Sequence, residues 1–547
     1  MRQRLKNICF SLIALAVFFA SAEGICRILF VTPGASDFIE RSIIQQKLTK
    51  FKPKDEFRIF LYGESTMHGD ALYPKSTIDK WILIYLEDLL GKEIARKVKI
   101  YNFARLGANS HFISKSFTET VGYNPDMAVF YTAHNDFVQL DNRRSDFDVQ
   151  PLVFGDKEFF DQWFRSCIKK SAFLSEITRL FIRVKIERHK WQDQHKKDDA
   201  PAIETWEKFY NPEYDAIDHG SYVFKTIHAN WVRNVNKIIH LARRRHIPVV
   251  FFEAVCNLKE YQPNESVHRL DLTKAELERW EALNKDAEHA FLDKHYEKAT
   301  EFYEQCLTID PEYALTYYRL GQCFESLSQF AKANQNYLLA NDKDRVPLRA
   351  PSEVNQFYES LRSAALERVT VIPTEKIFEK FSPNGIVDSH LLLDTMHPSI
   401  EGQAIASLEI VKAIYKQGLV APRKLWHWQD LGPTQDYEEK LGLDKDFEFS
   451  VYLKKAIFVG RFYEKSIEYS LKALAIKPDS IEAKRQLAWT YWRKGNRKNA
   501  FSLYREIYKE SPDAVLEVFK KYPELAGSVF SRRRVNRRLP IQLSQAL

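Results

Sequence analysis

The stretch Phe57-Arg58-Ile59-Phe60-Leu61-Tyr62-Gly63-Glu64-Ser65-Thr66 decides how the rest of the chain is read. Its first six residues form a short, largely apolar strand that runs directly into a glycine-containing turn carrying a serine. Further short apolar runs follow at Lys99 to Ala104, Met127 to Ala133, Ile247 to Val255 and Val369 to Pro373. Helical segments accompany them, among them Asp79 to Leu90, the amphipathic Asn230 to Arg245, and Ile400 to Lys416. This alternation predicts an α/β domain on a parallel, doubly wound sheet. A residue just past a strand of such a sheet lies at its carboxyl edge, where ligands bind.

The chain is longer than that domain needs. Its 547 residues correspond to three or four folded units at roughly 150 residues each. Aromatic residues at 14% and charged residues at 28% exclude disordered, collagenous and disulfide-dense scaffolds. Only 18 residues are glycine, about half the usual share, which points to a helix-rich chain. The 81 basic and 73 acidic residues leave +8, with Arg532, Arg533, Arg534, Arg537 and Arg538 crowded near the end. Residues 516–547 therefore read as a solvated basic tail, and no nucleic-acid partner is expected. Cys9, Cys26, Cys167, Cys256, Cys306 and Cys323 form no CxxC pair and no cluster with histidine, so no metal or other cofactor is expected.

At the start, Arg2, Arg4 and Lys6 precede an uncharged apolar run from Ile8 to Ala22. Ala20-Ser21-Ala22 has the small-x-small form of a cleavage site, whereas the return to apolar residues at Ile25 to Val31 suits an uncleaved anchor. Residues 1–31 thus read as a signal peptide or N-terminal membrane anchor. Either outcome exports the remainder, which in a bacterium means the periplasmic side of the envelope, anchored to the inner membrane or secreted.

A repeat interrupts the α/β pattern. Ala299 and Ala333 are 34 residues apart, as are Tyr303 and Tyr337, with Pro311, Leu320, Gly321 and Phe324 around them. Ser466 and Ala500, and Pro478 and Pro512, repeat that period, with Leu487, Tyr491 and Ala473-Leu474 in packing positions. Small residues let paired helices approach and prolines end the second helix of each unit. These segments resemble tetratricopeptide (TPR) motifs. The organisation expected is an α/β domain at 50–275 and 346–420, an inserted TPR pair at 276–345, a linker at 421–445 and a C-terminal TPR pair at 446–515. Phe159 to Trp191 reads as an inserted helical lobe ending in a polar loop at Gln192 to Ala200.

Four blocks carry chemistry. Ser65 follows the first strand, and a serine needs a base to become a nucleophile. Asp394-Thr395-Met396-His397-Pro398 offers an imidazole and a carboxylate three residues apart, on a turn entering the helix at Ile400. That spacing lets Asp394 orient His397 while the other ring nitrogen faces Ser65. Attack on an ester also needs oxyanion donors, each worth about 3 kcal/mol. Gly107, after the second strand, can offer a backbone N–H; Asn135, after the third, can offer its side-chain amide; the Ser65 N–H completes the set. Asp388 and His390 form a competing acid–histidine pair, and His68 and His134 lie near the blocks.

This order of blocks resembles the SGNH (GDSL-type) hydrolases over roughly residues 55–275 and 346–418. The resemblance implies a three-layer, flavodoxin-like domain with Ser65 as nucleophile, His397 as base, Asp394 as its partner, and Ser65, Gly107 and Asn135 as oxyanion donors. Glu64 stands where the family's aspartate is usual, and Ala133 where the pattern has glycine. A closer resemblance is to bacterial envelope proteins that join an SGNH domain to an internal TPR pair. It rests on Tyr131-Thr132-Ala133-His134-Asn135-Asp136-Phe137, Cys256-Asn257-Leu258-Lys259-Glu260 and Arg349-Ala350-Pro351. The resemblance implies the architecture and the catalytic blocks and supplies no substrate; the function expected is a serine ester hydrolase, an esterase or deacetylase acting on an acylated substrate such as an envelope carbohydrate, with a protein or peptide partner held by the repeats. The alternatives are a polysaccharide O-acyltransferase using the same site, and a catalytically silent TPR scaffold. A general-base imidazole must be neutral and its ordinary pKa is near 6.5, so activity is expected to fall below about pH 6.

Overall fold

The computed structural model describes residues 37–137 and 217–521, with residues 18, 19 and 525. The remainder of the N-terminal segment 1–31, the expected lobe and loop at 159–200, and most of the basic tail lie outside the described residues. Among the described residues no helix is long and apolar enough to cross a membrane.

The first half of the α/β domain contains β1 (Phe57–Gly63), α1 (Ser65–His68), α2 (Ile78–Leu90), β2 (Val98–Asn102), α3 (Ser110–Thr120), β3 (Met127–Tyr131) and α4 (His134–Phe137). It continues through α5 (Tyr222–Arg244) and β4 (Val249–Phe252). Four helices then intervene: α6 (Lys274–Leu292), α7 (Tyr296–Ile309), α8 (Ala314–Ser326) and α9 (Phe330–Asp342). The domain resumes with α10 (Ser352–Ser363), β5 (Val369–Ile372) and α11 (Ile400–Lys416). A second four-helix set follows: α12 (Lys445–Phe458), α13 (Tyr463–Ile476), α14 (Ile481–Arg493) and α15 (Arg497–Glu510).

All five strands are parallel, in the order β2-β1-β3-β4-β5. The alternation of side chains sorts them into two layers. Phe60, Tyr62, Phe130 and Phe251 face α3, α5 and α10, where Phe117, Trp231, Val235 and Tyr358 meet them. Ile59, Leu61, Val129 and Phe252 face α2 and α11, packing with Trp81, Leu86, Ile410 and Ile414. Covering both faces explains why the strands read as continuous apolar runs. Chain order reverses around β1, which lies between β2 and β3, so the residue after β1 sits at the topological switch point.

Some boundaries differ from expectation. The helix read from Asn230 begins at Tyr222, because Ser221 caps it by accepting a hydrogen bond from the Phe224 N–H. The stretch read as a linker is packed: Trp426 and Tyr437 are buried in the layer of Trp81 and Tyr85, with the Tyr437 and Tyr85 rings 5.2 Å apart. Burying large aromatics contributes about 1.5–3 kcal/mol each, more than a tether forgoes.

The repeat positions fall where the 34-residue period placed them. Ala299, Tyr303, Leu320, Ala333 and Tyr337 are buried among α6 to α9, and a Cβ on Gly321 would lie 2.6 Å from the Tyr337 ring. Ser466, Ala473, Leu487 and Ala500 are likewise buried in the second set. The inserted pair grips its own chain. Along one face of α8, Tyr318 donates to the Lys259 carbonyl at 2.7 Å, the Leu315 N–H donates to Ser266 Oγ at 2.9 Å, and Glu325 pairs with Lys259. His268, on the same loop, stacks on Tyr313 with centroids 4.5 Å apart.

Candidate active site

The strand-to-helix turn sets the position of Ser65. A Cβ on Gly63 would meet Met67 Cβ at 2.5 Å and the Tyr131 carbonyl at 2.8 Å, so only glycine lets β1 close against β3 at this point. Ser65 is the first residue of α1, so its N–H has no intrahelical acceptor.

The loop before α11 brings the other two groups of the expected relay. Leu393 N–H donates to the His397 carbonyl and Ser399 N–H to that of Leu391, both at 2.8 Å, which folds Asp394 to Pro398 into a tight turn. Asp394 Oδ1 accepts the N–H groups of Met396 and His397 at 2.9 Å each. His397 Nδ1 lies 2.8 and 2.7 Å from the two Asp394 oxygens, and Nε2 lies 2.7 Å from Ser65 Oγ. Ser65, His397 and Asp394 therefore form a continuous hydrogen-bonded relay across the carboxyl edge of the sheet. His390 is exposed, and it is its backbone N–H that donates to Asp388 Oδ1; the imidazole that meets Ser65 is that of His397.

The oxyanion candidates come from neighbouring strand ends. Gly107 is exposed and adopts φ +70°, a left-handed conformation that favours glycine. Asn135 spends one amide hydrogen on the Ala108 carbonyl at 3.0 Å, which fixes the side chain and leaves the second hydrogen for a ligand. Glu64 accepts the N–H groups of Ala133 at 2.6 Å and Asn135 at 3.0 Å and so pins the third block to the first. Burial, with the nearby Asp136, pushes the Glu64 carboxyl well above the ordinary carboxylate range. His134 is buried: its Nδ1 accepts the Ala350 N–H at 3.1 Å, and burial lowers its imidazole to about 3. The His68 ring stacks on Tyr73, with centroids 4.8 Å apart.

Sequence reasoning missed two members of this cluster. Lys455, from α12, bonds Asp394 Oδ2 at 2.6 Å and also bonds Asp70 Oδ2. Asp70 lies in the turn after α1, its Oδ2 4.0 Å from His397 Nδ1. Burial opposes the charge on Asp394, but His397 and Lys455 outweigh it and hold the carboxyl well below its ordinary range. Asp70 is lowered likewise, by Lys455 first and then His397, against the effect of burial. The Lys455 ammonium is raised by Asp394 and Asp70, again against burial. Asp70, Asp394 and His397 present ligand-type atoms within 4.8 Å of one another, and the cation bonded to the two carboxylates is the chain's own lysine. The only trace in the sequence is a lysine on an otherwise apolar stripe, Val451, Lys455, Phe458, at i, i+4, i+7.

Around the relay Ser65, Gly69, Asp70, Leu393, His397 and Lys455 pack closely and leave no room for a water molecule between them. Phe458 closes one side, its ring edge-on to His397 at 5.4 Å.

A family model described as tetratricopeptide repeat matches residues 292–313, so the chain carries a TPR repeat within the inserted pair. Similar solved structures include that of a candidate acylhydrolase from Bacteroides fragilis, at 11% identity and TM-score 0.30, covering 70% of this chain and 99% of the other. Another is a GDSL-like lipase from Bacteroides thetaiotaomicron, at 10% identity and TM-score 0.27, covering 70% of this chain and 100% of the other. No curated protein matches the sequence.

Proposed function

We propose that the chain is a serine ester hydrolase. The observation that carries this reading is the unbroken path from Ser65 Oγ through His397 to Asp394, at 2.7 Å on each side of the imidazole. Ser65 Oγ attacks the ester carbonyl carbon and gives its proton to His397 Nε2. Asp394 stabilises the imidazolium through Nδ1–H without taking the proton. The N–H groups of Ser65 and Gly107 and the free amide hydrogen of Asn135 are the donors for the oxyanion. Collapse expels the alcohol, protonated by His397, and leaves the acyl group on Ser65; water, deprotonated by His397, then releases the acid.

An acylated carbohydrate of the bacterial envelope is the substrate class that goes with the exported location read from residues 1–31. The matched TPR repeat supports a protein partner as well.

The test is labelling of the full chain by a fluorophosphonate probe, together with turnover of short p-nitrophenyl esters. Ser65→Ala is expected to abolish the first and to reduce the second by at least about a thousandfold. Full ester turnover in Ser65→Ala would refute the assignment.

A further inference from the structure

The second repeat pair is normally the kind of unit that binds another protein, yet one face of its first helix is turned onto the Ser65 site. Val451, Lys455 and Phe458 share one face of α12. Val451 packs with Ala71, Leu72 and Leu393 around the turn that carries Asp70, while Phe458 lies against His397. Tyr469, from α13, donates its hydroxyl to the Leu393 carbonyl, next to Asp394. Lys455 is 1% exposed and makes both of its ion pairs to carboxylates of the α/β domain.

Resting on the hydrolase reading above, we propose that Lys455 is a positioning residue for the His397 base and that the C-terminal repeat pair is thereby a component of the catalytic centre. Two physical effects support this. The first is geometric. Asp394 Oδ1 is tied by two backbone N–H groups and Oδ2 by the Lys455 ammonium, so the carboxylate cannot rotate away from Nδ1. The second is charge balance. The groups facing His397 are Asp394 from its own turn, Asp70 after α1, Lys455 from α12 and neutral His134 from α4, with Tyr261 and Tyr469 near Asp394. With Lys455 in place, the two carboxylates and one ammonium carry a single net negative charge, which the imidazolium formed during attack neutralises. Without it the imidazole faces two uncompensated carboxylates, which favour the imidazolium and weaken the ring as a base.

The test uses the full chain and its Lys455→Met, Asp70→Asn and doubly substituted forms. Two readouts are followed between pH 5 and 9: the rate of fluorophosphonate labelling and, by NMR of labelled histidine, the titration midpoint of the His397 ring. Lys455→Met is expected to move the acid limb and the midpoint up by about one pH unit. Asp70→Asn moves them down, and the double variant returns them towards the wild-type position. A folded Lys455→Met chain with both readouts unmoved overturns the proposal, because a lysine that only docks the repeats would change melting temperature and nothing else. Should Lys455→Met fail to fold, Asp70→Asn decides: coincidence with wild type overturns the charge balance, and a downward move supports it. A wild-type chain that resists labelling refutes the hydrolase reading, while the ring titration still decides on Lys455.

Discussion

The two repeat pairs share a period and a packing scheme, and each presses an inner helix face onto the α/β domain, but they deliver different things there. In the inserted pair, α8 offers Leu315, Tyr318 and Glu325 to a loop of the same chain, and these contacts hold the Lys259 carbonyl, the Lys259 ammonium and Ser266, away from the relay. In the C-terminal pair, α12 offers Val451, Lys455 and Phe458, and one of these is a buried cation shared by two acids beside the base. One architecture therefore serves as a clamp in one place and as a carrier of charge in the other. The difference lies in a few side chains on one stripe of a helix, not in the repeat itself.

That contrast can be broken at several points. The largest effect is expected where the second pair meets the relay. Asp394→Asn removes the acid that both His397 and Lys455 use, and should lower ester turnover by about ten-thousandfold while leaving Ser65 in place. Turnover within about tenfold of wild type would mean that Asp394 does not orient the base.

A smaller effect separates the pairs by acid. Asp70 and Asp394 have carboxyls depressed in the folded chain, so their stabilisation is full above the free-carboxyl pKa of about 4 and is lost as pH falls below it towards the folded values. Amide exchange across residues 445–476, corrected for its intrinsic rate, should therefore rise as pH falls below about 4 before that of residues 274–342. Loss of protection in the inserted pair first would reverse the comparison.

The smallest effect lies in the clamp. Tyr318→Phe removes one hydrogen bond, to the Lys259 carbonyl, and should cost about 1 kcal/mol in denaturant titration. It should leave the pH profile of labelling where it was. A shifted profile would mean that the inserted pair also reaches the base.

Much of this was readable in the residues. The strand-turn-serine at 57–66, the Asp394 to His397 spacing and the 34-residue period depend on local patterning, which a sequence displays directly. What escaped reading depended on distant pairing. Asp70 looks like an ordinary turn residue and Lys455 like a surface cation until chain segments 385 residues apart are brought together. The segment 421–445 reads as a linker for a related reason: the apolar layer that takes Trp426 and Tyr437 is supplied by α2, far away in the chain. Glu64 was visible as a departure from a family pattern, while its service to the Ala133 and Asn135 amides was not.

Placing Lys455 so far along the chain has a consequence for biogenesis. The last helix of the α/β unit ends at Lys416 and α12 begins only at Lys445, so the relay residues all precede Lys455 in the chain. Until Lys455 is in place Asp70 and Asp394 have no shared cation, and Asp394 Oδ2 lacks the ammonium that fixes it beside Nδ1. A chain ending before α12 would thus carry all three relay residues without the cation that fixes Asp394, and is expected to form the relay less completely than the full chain.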